Sequence, residues 1–537
     1  MKQHYTVIAA IALSVFAGTL NAQIPLQWGG RYNAPPDMAD EARDIVVDAA
    51  GNSYVTGSGF NSGGNLDAIT IKYDVNGNQM WVRNYDRGAS GNDEGTSIAL
   101  DPSGNVYVTG YSTGATTGGD AMTIKYDNAG TQQWVVFYDA TNNQDEARSI
   151  SVDASGNSYI CGYSSDSLYY FNTLTICYNT SGVQQWVQSY DGPIGGNDEL
   201  LDLVIDASSN VYVAGNSEQD TMDYDFITIK YNSAGVQQWL MTYAGPAGGD
   251  FGKTIALDPS GNVLVGGQSG YTGNWFDYFV VKYDNGGVQQ WTARYNNGNN
   301  RYEDLWDIAA DNAGYVYITG QSQATGNNST PQDMATVKYT PAGNEVWVRR
   351  FDGGLNADDR AYALVLDDTA NVYIAGYSKN ATNNDFMTLK YDSAGTLEFS
   401  LRFNSQYDGT DQINAMAVNS GDIYVTGLSA NSANTDYLTI KYSYDAVGIY
   451  EQSGAQALYV YPNPSSDVIN IQLQQPAVDN SSIRITDVSG RLVFESEIAS
   501  GIQVLQINLT DLAAGSYVLS QTDGDGNLLS QQRIIKN

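Results

Sequence analysis

Between residues 93 and 138 apolar and polar positions alternate in four short runs. They are Ser97–Asp101 (SIALD), Asn105–Gly110 (NVYVTG), Met122–Asp127 (MTIKYD) and Gln132–Tyr138 (QQWVVFY). Each is rich in β-branched and aromatic residues at period two, so each is predicted to be a β-strand. Asp-Pro-Ser-Gly-Asn separates the first two runs and Asp-Asn-Ala-Gly the last two. Both sequences suit tight hairpin turns with a glycine at positive φ. Long Ala/Leu/Glu/Lys helical stretches are absent.

The four-run unit repeats. The glycine closing its second run recurs at Gly57, Gly110, Gly162, Gly215, Gly267, Gly320, Gly376 and Gly427, at spacings of 51 to 56 residues. Four antiparallel strands per period of this length describe a propeller blade. The eighth unit has no tryptophan run after Tyr442, but Leu26–Tyr32 (LQWGGRY) matches that run at the other end of the chain. The N-terminal strand is therefore expected to complete the last blade and remove the free edge. The fourth-run aromatics are Trp28, Trp81, Trp134, Trp186, Trp239, Trp291 and Trp347, with Phe399 as the one substitute. The expected fold is all-β: an eight-bladed propeller over 23–443, a linker over 444–456 and a small β-sandwich over 457–537.

The GNVYVTG, TIKYD and QQW motifs resemble the bacterial β-propeller repeat family abbreviated SBBP, with phrasing similar to NHL-type repeats in the first two strands. That family is nominally seven-bladed, whereas eight units are present here. The resemblance implies a fold and no activity. The C-terminal segment carries Tyr461-Pro462-Asn463-Pro464, Asp487-Val-Ser-Gly490-Arg491, Leu512-Ala-Ala-Gly515-Ser-Tyr517 and Arg533-Ile-Ile-Lys536. In this order it resembles the type A sorting domain of the type IX secretion system. The resemblance implies that the secretion machinery is a partner, and that the protein is released or held at the outer cell surface.

The other end agrees. Lys2 and His4 precede an apolar stretch from Thr6 to Gly18, and Leu20-Asn21-Ala22 resembles a small-residue cleavage site, so 1–22 reads as a signal peptide. No later segment is apolar for long enough to form a transmembrane helix. His4 is the only histidine, so a mature chain would have none. That excludes Ser-His-Asp and Cys-His nucleophiles, HExxH zinc sites and any imidazole ligand. The net charge of −34 disfavours nucleic acid and anionic membrane as partners.

Candidate chemistry comes from three features. An acidic residue precedes the first strand of each unit: Asp40, Asp93, Asp145, Asp198, Asp250, Asp304, Asp359 and Asp411, most of them in an acidic pair. These would ring the mouth of a central channel. They suit either a Ca2+ site, the only cofactor the sequence suggests, or carboxylates that accept backbone N–H bonds at each blade junction. Glycosidase chemistry needs two unlike carboxyl environments, which symmetric pairs do not supply, so the chain is expected not to be an enzyme. The loops between second and third strands vary and carry Tyr169, Tyr170, Tyr224, Tyr271 and Trp275, which suit a glycan or protein ligand. Phe171, Tyr224 and Phe276 also fit packing between blades. Cys161 and Cys177 fall on neighbouring strands of one unit and are a possible disulfide. The expected function is a secreted, non-catalytic binding or scaffold module. The alternative is a polysaccharide-active enzyme using Asp/Glu of the loop face.

Overall fold

The computed structural model describes Ile24, residues 26–443 apart from short loop segments, and most of 458–536. The expected signal peptide (1–22), the linker (444–456) and the motif residues Pro462, Asn463, Pro464 and Gly490 lie outside the described residues, as do the side chains of Tyr271, Trp275 and Tyr461. The chain forms two compact units, Gln23–Tyr444 and Asp445–Asn537.

The first unit contains eight four-stranded antiparallel sheets. Seven are built from consecutive strands, at 40–85, 93–138, 145–190, 198–243, 250–295, 303–351 and 359–403. They are called sheets one to seven below. The eighth takes three strands from 411–443 and its fourth from Leu26–Tyr32, which pairs with Thr435–Ser443. The first strands of successive sheets pack side by side, and that of sheet eight packs against that of sheet one.

The turns explain why the repeat folds this way. Asp101 Oδ1 accepts the amides of Ser103 and Asn105, both at 2.9 Å, while Oδ2 accepts Asn105 Nδ2 at 2.6 Å and the Tyr107 hydroxyl at 3.2 Å. The same aspartate organises the turn at Asp48, Asp153, Asp206 and Asp367. Gly104 sits at φ +76°, which a side chain would strain.

Between sheets, the fourth-strand tryptophan is the fastener. Trp81 Nε1 donates to the Asn128 carbonyl of sheet two at 3.1 Å, and its ring covers Gly130, where a Cβ would approach to 2.7 Å. Six further tryptophans repeat the bond, including Trp28 to Val75. Phe399 is the exception. It faces sheet eight, whose fourth strand comes from the other chain end, so the sequence has no third-to-fourth-strand turn there to receive an indole N–H.

The second unit has a three-stranded and a four-stranded sheet. Ile469, Ile471, Ile483, Ile485, Ile507, Leu519 and Ile534 form its core. Tyr517 donates to the Ala513 carbonyl at 2.7 Å, and Gly515 pairs with Lys536 in the last hairpin.

Candidate functional site

The acidic residues that begin each first strand do not line an open mouth. Asp40, Asp93, Asp145, Asp198, Asp250, Asp359 and Asp411 are 0–1 % exposed. Each accepts a backbone amide from the loop just before it: Ala34 for Asp40 and Gly353 for Asp359, both at 2.7 Å, and Gly192 for Asp198 at 2.6 Å, for example. The side chains act as separate loop caps, the second of the two readings that the sequence allows. The reason is that these side chains turn back to their own loop amides, which would otherwise be buried without a partner. In sheet six the register gives this place to Glu303, opposite Ser322, and not to Asp304. Asp304 lies one residue on and pairs with Lys253.

Burial dominates the titration of these caps. Asp40 is pushed up to about 8 by burial, with the Asp436 and Asp37 carboxylates adding to the rise. Glu303 is pushed up to about 8 by burial and by the negative charge of Asp277. The environments are thus less alike than the repeat implies, since Asp145 rises only to about 6, again through burial.

The second residue of each first strand is Glu41, Glu94, Glu146, Glu199, Phe251, Asp304, Arg360 or Gln412, and the fourth is Arg43, Thr96, Arg148, Leu201, Lys253, Trp306, Tyr362 or Asn414. The register slips at this fourth position in every sheet, as between Leu305 and Asp307, so the residue leaves the ladder. In a propeller the first strands surround the channel, so these side chains form its mouth.

The mouth has two unlike arcs. On sheets one to four it is acidic, and its cations are already matched: Arg43 with Glu94 at 2.9 Å and Arg148 with Glu146 at 3.0 Å. On sheets five to seven it is aromatic. Trp306 is 38 % exposed, with Lys253 Nζ 4.3 Å from its ring centroid and Tyr362 edge-on at 5.2 Å. Tyr362 meets Tyr377, over which the Arg360 guanidinium lies. A second aromatic run joins it from the loops: Tyr224 stacks on Phe251, Phe251 meets Phe276, and Phe276 meets Tyr302. The Tyr302 hydroxyl donates to Asp304 at 3.3 Å, and burial with that carboxylate pushes its pKa up to about 12.

The structure thus joins Tyr224 to a larger patch and leaves Tyr169 and Tyr170 apart. Tyr169 is 74 % exposed at the tip of a hairpin closed by Asp166, while Phe171 packs on Tyr163 at 4.3 Å. The backbones of Tyr271 and Trp275 pair in sheet five. Trp306, Lys253, Tyr362, Phe251 and Tyr302 were not picked out by sequence reasoning. The available signal was variability at the second and fourth first-strand positions among otherwise matching units.

Deeper in the channel, Asp44, Asp202 and Asp307 stand at the fifth position. Asp44 accepts the Ile98 amide and Ser97 hydroxyl of the next sheet, both at 2.9 Å, and Asp202 accepts the Ile255 amide at 3.0 Å. Burial pushes Asp202 up to about 6 and Asp307 up to about 7.

Cys161 and Cys177 are free, buried thiols, which corrects the possible disulfide. The register pairs Cys161 with Thr175 and Cys177 with Tyr159, so the two cysteines are diagonal and not opposite. Burial raises both thiol pKa values.

Repeated four-stranded sheets, packed through their first strands, define a β-propeller. Residues 88–115 and 133–170 match the β-propeller repeat, and residues 459–537 match the secretion system C-terminal sorting domain. The chain thus carries β-propeller repeats and a C-terminal type IX sorting domain, which marks export to the cell surface or extracellular space. Among the described residues no helix is long and apolar enough to cross a membrane. An uncharacterised WD repeat-containing protein of Acanthamoeba polyphaga mimivirus is 23 % identical over 454 residues, covering 68 % of this chain. The chain spans 30 % of that relative's length. A polysaccharide lyase structure aligns at 12 % identity and a TM-score of 0.42, covering 67 % of this chain and 91 % of the other. An ulvan lyase aligns at 10 % identity and a TM-score of 0.38, covering 63 % and 92 %.

Proposed function

We propose that the chain is a secreted, non-catalytic eight-bladed propeller, closed by its N-terminal strand, which binds a glycan at the aromatic arc of the channel mouth. Closure is supported by contacts between the chain ends: Trp28 Nε1 to the Val75 carbonyl at 3.1 Å, and Asn414 Nδ2 to the Ala42 carbonyl at 2.8 Å. The observation that carries the ligand site is the exposed Trp306 ring, bracketed by Lys253 and Tyr362. A sugar ring offers apolar C–H faces to stack on an indole and hydroxyls to bond with neighbouring charged groups. Asp304, Lys253 and Arg360 stand beside the ring to do so. The protein's charge of −34 favours a neutral glycan over a strongly anionic one.

A glycan array probed with the wild-type chain and with Trp306→Ala tests this reading. Binding that falls at least tenfold in the variant, on the scale of a truncated aromatic anchor, is the expected result. Equal binding by both proteins, or no glycan bound by either, overturns it. The alternative, a polysaccharide-active enzyme, draws on the Tyr302–Asp304–Lys253 cluster, where a phenol, a carboxylate and an amine meet. Release of reducing or unsaturated ends from a bound polysaccharide would favour that alternative.

A further inference from the structure

Seven of the eight second strands carry a buried tyrosine three residues before the repeat glycine, as at Tyr107 and Tyr317. Sheet five has Leu264 there.

The surroundings of that tyrosine recur from sheet to sheet. Its hydroxyl donates to the aspartate of its own turn, from Tyr107 to Asp101 at 3.2 Å and from Tyr317 to Asp311 at 2.9 Å. It also reaches the turns of the next sheet. Tyr107 donates to the Gly156 carbonyl at 2.9 Å, and Tyr54 to Asn128 Oδ1 at 3.3 Å. The lysine opposite it on the third strand covers the ring, with Lys125 Nζ 4.8 Å from the Tyr107 centroid and Lys338 Nζ 4.9 Å from that of Tyr317. A cation over an aromatic face, away from water, is an attractive contact. The fourth-strand tryptophan meets the ring from the other side, as Trp134 meets Tyr107 at 5.9 Å.

At sheet five these walls remain, but no phenol stands between them. Leu264 pairs with Lys282 and Lys282 with Trp291, the same rung that joins Tyr107, Lys125 and Trp134. Asp258 is the counterpart of Asp101, Gly314 of Gly156 and Pro341 of Asn128. A leucine has no hydroxyl to give Asp258. Lys282 Nζ pairs with that carboxylate directly at 2.7 Å, where Lys125 stays 3.9 Å from Asp101. A cavity of about 510 Å3 opens among Asp258, Asn262, Lys282, Trp291, Gly314 and Pro341. It lies at the turn ends of the strands, opposite the loops that flank the channel mouth, and so is separate from the arc around Trp306.

We propose that this cavity binds a phenolic ring supplied from outside the chain. The hydroxyl would donate to Asp258 and the ring would lie against Lys282 and Trp291, as the protein's own tyrosines do in the other sheets. A few fixed polar groups beside an aromatic wall suit a small ligand and set its orientation. Two sources share this chemistry, a free phenolic compound and the tyrosyl side chain of a peptide.

Calorimetric titration of the full chain with 4-methylphenol, and with toluene in parallel, tests the site. One 4-methylphenol per chain is expected, with toluene at least tenfold weaker because it brings no donor for Asp258. Leu264→Tyr gives sheet five the residue of the other seven sheets. It should weaken the binding at least tenfold and unfold at no lower temperature than wild type. Ala313→Trp places a large side chain at an exposed turn position on the rim, where the Ala313 amide alone serves Asp311. It should weaken the binding equally, so a Leu264 variant that failed to fold would not leave the site untested. N-acetyltyrosinamide separates the sources: binding like that of 4-methylphenol assigns the site to a tyrosyl side chain, and binding of 4-methylphenol alone assigns it to a free phenol. No heat with 4-methylphenol overturns the proposal, as does equal binding of toluene or unaltered binding by either folded variant.

Discussion

Arg31 Nη1 lies 2.9 Å from Asp436 Oδ2, joining residues 405 positions apart in the chain. The same guanidinium bonds the Ser429 carbonyl at 2.8 Å and the Ser429 hydroxyl at 2.6 Å. One side chain on the N-terminal strand thus satisfies two strands of the last sheet. The other seven sheets of the first unit obtain their fourth strand from the residues that follow directly, so among them only sheet eight has a tertiary contact in place of a short connection.

Arg31→Met should destabilise the first unit. Asp436 is 1 % exposed and would keep its carboxylate in a buried place without its cation. Breaking a buried pair from one side costs about 3 kcal/mol. Chemical denaturation of the variant should show a lower midpoint, and the double variant Arg31→Met/Asp436→Asn should recover part of the loss. A midpoint equal to wild type would mean that the N-terminal strand contributes little.

Stability should be greatest in mildly acid solution. Asp40 and Glu303 rise to about 8, Asp307 to about 7 and Asp202 to about 6, all through burial first. Folding favours their protonated forms, so their contribution is full below about pH 4 and is lost as pH rises through 6 to 8. The turn aspartates Asp48, Asp101, Asp153 and Asp206 act oppositely. Burial alone would raise them, but bonds from the turn amides and asparagines outweigh it and lower their pKa. Their contribution is present above about pH 4 and fades below it. Thermal unfolding from pH 3 to 9 should therefore peak between about pH 4 and 6. A midpoint that climbs steadily to pH 9 would contradict this balance.

Removing the exposed indole should separate binding from stability. Trp306→Ala leaves the strand ladder intact, because the side chain sits at the bulge and 38 % of its surface is open. The unfolding midpoint should move by no more than about 1 kcal/mol in equivalent free energy, as at most surface sites. A large loss of stability would assign the ring to packing instead.

The two thiols should behave as buried and unpaired. Intact mass under non-reducing conditions should carry two free cysteines, and alkylation should be slow until denaturant is added. Burial and a raised pKa both suppress thiolate reactivity. A mass two daltons lower, restored by reductant, would show that Cys161 and Cys177 are bonded after all.

The strands, their order within a sheet and their turns were legible in the sequence, because each depends on neighbours a few residues away. Period-two alternation marks a strand, and Asp-Pro-Ser-Gly-Asn supplies both the carboxylate and the positive-φ glycine that its turn requires. The pairing of Leu26–Tyr32 with sheet eight was also legible, since its motif is the one that sheet lacks. The sorting domain was readable from the order of its motifs. What the sequence could not decide was where side chains point at the sheet junctions. The repeated aspartates look like one ring in one dimension, but the loop amides in front of them turn each into a separate cap. The place of Glu303 rather than Asp304 follows from cross-strand register, and the free thiols from a two-residue offset, and neither is a local property. The aromatic arc arises because Phe251, Trp306 and Tyr362, each one residue in its own repeat, are brought together only when three sheets pack through their first strands.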